Sequence, residues 1–284
     1  MAVTPFLAAQ ELAKLNVRKW TDIQPAHNTG MAIIPQLMGN EPVQMSDTVQ
    51  AVATLGYRQV NWNIGCPSAQ VVRKQRGCGL MPHPDKVEAV VAAVTRNAPK
   101  SHFSVKMRTG WSNPQEGLEI VERLNAYPLD FIAIHPRLGV QEYNGTPDWE
   151  QFGRMCEKTR HRIVYSGDIN DLGSYRRFCA CFPDIRSIML GRGLLRNIFL
   201  AEELAAGAEL PMEKKRSRFA AFYRELVETL AAARGREHIL SLLKELWHYF
   251  AVFQQLSPQE LTTLLRITDI DEFERQTMEI VGKV

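Results

Sequence analysis

Cys66 stands between glycine and proline in the stretch Asn61-Trp-Asn-Ile-Gly-Cys-Pro-Ser68. Neither neighbour readily continues a β-strand, so the thiol belongs on a sharp loop at a strand end. A thiol sunk in a core is usually inert packing; one on such a loop is placed to react. Arg73, Lys74 and Arg76 follow, then Gly77-Cys78-Gly79. The glycine pair lets backbone approach a ligand closely. The basic residues suit a phosphate, although such a cluster taken alone is more often plain surface.

A second group lies further along. In Val105-Lys-Met-Arg-Thr-Gly110 the two-residue period puts Lys106 and Arg108 on one face of a strand. Two cations on one face call for an anion, and either a reduced flavin or a phosphate supplies one. His135 sits two residues before Arg137 at another strand end, where a ligand contact is favoured over a satisfied core histidine. Gln36 ends an earlier strand. Gly167-Asp168-Ile169 and Gly191-Arg192-Gly193 close two late ones. Barrels commonly hold a phosphate at such late loops, through backbone N–H groups and a helix N-terminus.

These residues need a scaffold that gathers many strand ends. Short apolar runs at 32–38, 59–63, 103–108, 131–135, 162–166 and 187–190 read as buried parallel strands. Helical patterns separate them: 46–55 with Ser46 as its cap, 84–97, 114–126 and 149–160, with 200–209 closing the unit. The alternation predicts a parallel α/β fold. No G-x-G-x-x-G follows a strand, which argues against a dinucleotide-binding doubly wound sheet. Reactive residues past the ends of several strands point instead to the C-terminal face of a TIM (β/α)8 barrel. Beyond residue 211 the strand signals stop, and four helices at 216–234, 239–256, 258–265 and 269–281 predict a small all-α bundle. The expected domains are therefore 1–210, the barrel, and 211–284, the helical unit.

Hydrophobic residues make up 45% of the 284 and charged residues 23%, an ordinary globular balance. No apolar run is long enough to span a membrane, and no basic-then-apolar leader opens the chain. Five cysteines, an odd count without metal-site spacing, predict reduced thiols in a cytoplasmic protein and no bound metal. Nothing fixes the oligomeric state; a monomer is the expectation. The net charge of +3 says little, but residues 214–244 carry eight basic side chains against three acidic ones. One basic end on a helical region suits a phosphate backbone, or is simply a solvated surface.

The combination resembles the tRNA-dihydrouridine synthase family. It is carried by PQLMGN at 35–40, NWNIGCPS at 61–68, GCGL at 77–80, VKMRTG at 105–110, IHPR at 134–137, QEYNGTPDW at 141–149, SGDI at 166–169 and LGRG at 190–193. The resemblance implies FMN as cofactor, NADPH or NADH as reductant and tRNA as partner. It implies flavin contacts from Gln36, Lys106 and His135, and a phosphate site from Ser166, Gly167, Asp168, Gly191 and Arg192. Asn63, Arg108 and Arg137 would meet the base, with Lys214, Lys215, Arg216 and Arg218 on the RNA backbone. Cys66 would be the acid. In the implied reaction a hydride reaches C6 of uracil from flavin N5, and a proton reaches C5. A cysteine thiol, whose unperturbed pKa is about 8.5, is protonated at neutral pH and can give that proton. The base must leave its stack to be reduced, which is cheapest in an RNA loop.

The chain departs from the family at Ser166, usually asparagine, at Pro136, usually glycine, and at Cys78, usually alanine or serine. Six clear strands plus a seventh at 2–7 leave an eight-stranded barrel one short. The family's opening strand and its glycine-containing loop have no match, so a first strand is expected to be missing. Two other functions stay open. One is a flavin barrel acting on a small molecule, of the dihydroorotate or ene reductase type. The other is a non-catalytic RNA-binding relative.

Overall fold

The computed structural model describes residues 1–282 and divides them into two compact units. The first comprises residues 1–167 and 185–189; the second comprises 168–184 and 190–284, described as far as Gly282.

The first unit is built on seven parallel strands that pair in chain order. They are β1 (Ala2–Ala8), β2 (Ile33–Met38), β3 (Gln59–Ile64), β4 (His102–Gly110), β5 (Ile132–Leu138), β6 (Ile163–Tyr165) and β7 (Ser187–Ile188). Among the described residues β1 and β7 each pair on one side only. Helices α1 (Pro42–Thr54), α2 (Ala69–Val72), α3 (Pro84–Asn97), α4 (Pro114–Leu124) and α5 (Trp149–Lys158) lie between them in sequence. Proline opens α1, α3 and α4, where a missing N–H costs nothing and φ is already helical. The Asp148 side chain caps α5 by accepting from Gln151 N at 2.9 Å. Helix α1 starts at Pro42, four residues before the expected cap; Ser46 is buried inside it, its hydroxyl donating to Val43 O at 3.0 Å.

Alternation along the strands separates two jobs. One set of side chains, including Leu37, Trp62, Val105, Met107, Ile132 and Ile134, is fully or almost fully buried. The valines 87, 90, 91 and 94 of α3 are buried as well. Burial of each such side chain contributes roughly 1.5–3 kcal/mol. Trp62, which could have lined a site, belongs to this set: it is wholly buried, and its Nε1 donates to Gly39 O at 3.0 Å. The other set changes character along the strands. Near the strand starts Ile34, Phe131, Ala133 and Val164 form an apolar cluster with Val3 and Met189. Two residues further on stand Gln36, His135 and Ser166, all polar.

The second unit is helical: α6 (Leu172–Cys181), α7 (Arg192–Arg196), α8 (Leu200–Ala206), α9 (Met212–Arg234), α10 (Leu240–Phe253), α11 (Pro258–Arg266) and α12 (Ile270–Gly282). Its core is aromatic, with Phe199, Phe219, Tyr223, Trp247, Phe250 and Phe273 buried together. The polar atoms of that core are matched. Trp247 Nε1 donates to the Tyr223 hydroxyl at 2.9 Å, which donates to Thr277 Oγ1 at 3.0 Å, so α9, α10 and α12 are tied in one register. No helix among the described residues is long and apolar enough to cross a membrane.

Candidate active site

Strand register brings the chemistry of the first unit together. Gln36 pairs with Asn61, Asn63 with Lys106, and Arg108 with His135. A chain of amides runs across these strands. Asn61 Nδ2 donates to Ser104 Oγ at 2.9 Å, Gln36 Nε2 to Asn61 Oδ1 at 2.8 Å, and Asn63 Nδ2 to Gln36 Oε1 at 2.8 Å. Asn63 Oδ1 then accepts from Gly65 N at 2.9 Å, one residue before the cysteine. Each of the Gln36 and Asn63 amide nitrogens keeps one N–H beyond these bonds. Asn61 and Ser104, both buried, are not among the expected site residues. The period-two spacing with Asn63 and Lys106 is the signal that could have found them.

Cys66 is half-buried on the loop after β3, and its Sγ makes no hydrogen bond among the described residues. Its carbonyl accepts from Cys78 N at 3.0 Å. The two thiols differ in kind. Cys78 is fully buried, and that burial pushes its thiol up to about 12 against the opposing pull of Arg108. It stays protonated and out of reach; Cys66 is within reach. Gly77 holds the two segments together. Its φ is +53°, and a Cβ there would come 2.6 Å from Cys66 O. Gly77→Ala is therefore expected to lower the melting temperature by roughly 2–8 °C, from a left-handed penalty of about 1–2 kcal/mol plus the clash. An alanine variant melting with the wild type would show that the loop tolerates the displacement.

Lys106 is half-buried, and its ammonium has no hydrogen-bond or ion-pair partner among the described residues. Burial, then the nearby Arg108, lowers its pKa to about 8. An unmatched cation beside spare amide N–H groups fits a bound group with an anionic, hydrogen-bonding edge, as a flavin has.

Arg108 and Arg137, the residues expected to meet the base, are both engaged within the protein. Arg108 is buried, with Nε donating to Gly65 O at 3.0 Å and Nη1 to Leu138 O at 2.9 Å, so it braces the cysteine loop against the end of β5. Arg137 is buried too; Nε donates to Asn144 O at 3.2 Å and Nη2 to Gly145 O at 2.6 Å, while Nη1 lies 3.1 Å from His135 Nε2. It orients the histidine and shapes the loop after β5. That loop presents Tyr143, which is 53% exposed although its ring lies 5.3 Å from the Arg108 guanidinium carbon. Tyr143 lies within the motif at 141–149, but its place beside Arg108 is a tertiary feature.

The late-loop residues divide between the units. In the first, Ser166 is half-buried, and Gly167 leaves room for the Tyr165 hydroxyl, which an added Cβ would meet at 2.0 Å. In the second, Arg192 and Asp168 form an ion pair at 2.7 Å, and Gly191 is exposed with open space where a Cβ would stand. The basic stretch of α9 also divides. Lys215 is buried, its ammonium paired with Glu203 at 2.5 Å, so it is unavailable to an RNA backbone. Arg218 pairs with Glu202 at 2.8 Å and lies over the Phe199 ring. Lys214 and Arg216 are exposed.

Comparison with known proteins bears on this arrangement. A family model described as "Dihydrouridine synthase (Dus)" matches residues 1–280. The chain is 30% identical over 261 residues to a probable tRNA-dihydrouridine synthase of Rhodobacter capsulatus, covering 88% of this chain and 78% of that one. It is 31% identical over 180 residues to a tRNA-dihydrouridine(16) synthase of Pseudomonas syringae pv. tomato, covering 63% of this chain and 56% of that one. The match thus spans little more than half the length of that second relative. Among solved structures, a morphinone reductase mutant in complex with tetrahydroNAD matches with a TM-score of 0.50 at 13% identity, covering 73% of this chain and 78% of that one, which shows a shared barrel fold. With its family model matched almost throughout and its curated relatives sharing that description, the chain belongs to the dihydrouridine synthase family, the flavin-dependent enzymes that reduce uridine to dihydrouridine in tRNA.

Proposed function

We propose that this chain binds FMN, accepts electrons from NADPH and reduces a uridine of tRNA to 5,6-dihydrouridine, with Cys66 as the proton donor. The observation that carries this is a reachable, unbonded Cys66 thiol on the loop after β3 together with the unmatched Lys106 ammonium on β4, the strand paired to β3. When bound, the flavin supplies the hydride for C6 of the uracil. Lys106, the spare N–H of Gln36 and His135 hold it and offset its negative charge. Ser166 and Gly167 of the first unit are assigned to its phosphate. Asn63 offers its remaining N–H to a carbonyl of the base. Cys66 holds a proton at Sγ and delivers it to C5 as charge develops there. Arg108 acts through Gly65, fixing where that sulfur stands. Lys214 and Arg216 are assigned to the RNA backbone, and the same activity assigns the chain to the cytoplasm.

The test is direct. The full chain, given FMN, NADPH and an unmodified tRNA transcript, should convert uridine to a nucleoside heavier by two hydrogens, detected by mass spectrometry after digestion. NADPH oxidation with a small unsaturated carbonyl compound, and none with RNA, would establish the small-molecule reductase instead.

A further inference from the structure

A cavity of about 650 Å³ opens among the C-terminal helices, walled by Arg216 of α9, the end of α10, α11 and α12. Its volume lies within the range of small-molecule sites, about 300–1,000 Å³. Part of its lining is apolar, with Phe253, Leu264 and Ile280. Part is carboxamide: the side chains of Gln254, Gln255 and Gln259 line it and have no hydrogen-bond partner among the described residues.

The charges sharpen the picture. Lys215, Arg218, Arg236 and Arg275 each hold a carboxylate, whereas Arg216 has no ion-pair partner among the described residues. The two acids in the wall are committed: Glu260 accepts from Ser257 N at 2.8 Å, and Glu272 accepts from Arg275 Nε at 2.9 Å. One cation and several amides therefore remain for a ligand, and no uncommitted carboxylate. Gln255 is unusual as well. It follows the C-cap of α10 with φ +56°, a left-handed position that favours glycine, and it adds a carboxamide to the lining there.

We propose that this cavity takes one unpaired nucleotide. A carboxamide sets donor and acceptor side by side, which matches the edge of a nucleobase. The aromatic and aliphatic lining suits the base face, and the Arg216 guanidinium suits the phosphate. The nucleotide comes from the RNA substrate, so the proposal rests on the tRNA reading above; a free nucleotide shares the chemistry.

Two measurements on the full chain test it. Adenosine or uridine 5′-monophosphate should shift the methyl resonances of Leu264 and Ile280, and Gln254→Ala/Gln259→Ala should abolish the shift. The same double variant should bind an unmodified tRNA transcript about tenfold more weakly at fixed salt. Gln255→Gly should weaken binding in the same direction while keeping or raising the melting temperature, because glycine relieves the left-handed strain; this separates binding from folding. Methyl shifts with unchanged RNA affinity would overturn the RNA source and leave a free-nucleotide site. No methyl shift and unchanged affinity in both variants, with wild-type tRNA binding intact, would overturn the cavity while sparing the tRNA reading. Failure of the wild type to bind the transcript would strike that reading itself.

Discussion

Replacing Cys66 by alanine is expected to cut dihydrouridine formation by about 10²–10⁴-fold, the usual contribution of general acid catalysis, while flavin reduction by NADPH stays near the wild-type rate. The two half-reactions separate because only the second needs a proton at C5. The expectation rests on placement. Asn63 Oδ1 and Arg108 Nε bind the N–H and the carbonyl of Gly65, one residue before the cysteine, at 2.9 and 3.0 Å. The sulfur itself is left unbonded and half-exposed. Alanine at this half-exposed position removes one atom and disturbs little packing, so a loss of product would be chemical rather than structural. The check is single-turnover product analysis beside stopped-flow flavin absorbance. Equal dihydrouridine yield from the alanine variant would pass the role to another acid. Cys78 is a poor successor, since it is wholly buried with its thiol raised to about 12.

Lys106→Met should do the converse, slowing flavin reduction by roughly 10²-fold, as loss of one preorganised charge partner does in other sites. In the flavin-free chain the ammonium loses its proton as pH rises through about 8, and a bound anionic flavin raises that point, so the wild-type rate should fall only on a limb above it, which the methionine variant should lack. A control independent of flavin follows from linkage. The pKa of Lys106 is lowered from 10.5 to about 8, so between those values the unfolded chain holds a proton that the folded chain has released. Apo-protein stability should therefore rise with pH across that window, and Lys106→Met should flatten the rise. Denaturant melts at several pH values would show it. A methionine variant with the same pH dependence as wild type would mean that Lys106 keeps its proton well above pH 8.

The strands are legible because buried parallel strands read as apolar runs between glycine and polar loops. The run at 59–63 is β3, Gln59–Ile64, and even the fragment at 2–7 is β1, Ala2–Ala8. Helix α6 escapes a reading of the sequence although Asp171 and Ser174 form its capping box; its weakly amphipathic sequence, LGSYRRFCAC, hides the period. Ser46 passes for a cap because a serine before a helical pattern looks alike whether Pro42 opens the helix or not.

The family, the alternation of strand and helix, and the shared face of Lys106 and Arg108 are legible in the residues alone, because these depend on local spacing and residue type; Gln36, Lys106 and His135 nonetheless lie within their strands rather than past the ends. Which partner each polar group takes depends on the folded chain. Lys215 and Arg218 look like their exposed neighbours in sequence, yet Glu203 and Glu202, twelve and sixteen residues earlier, claim them across a loop. Lys106 and Arg108 share a strand face, yet only the arginine reaches two backbone carbonyls, from Gly65 and Leu138. A charge is available to a ligand only when no nearer partner has taken it, and nearness is a property of the folded chain.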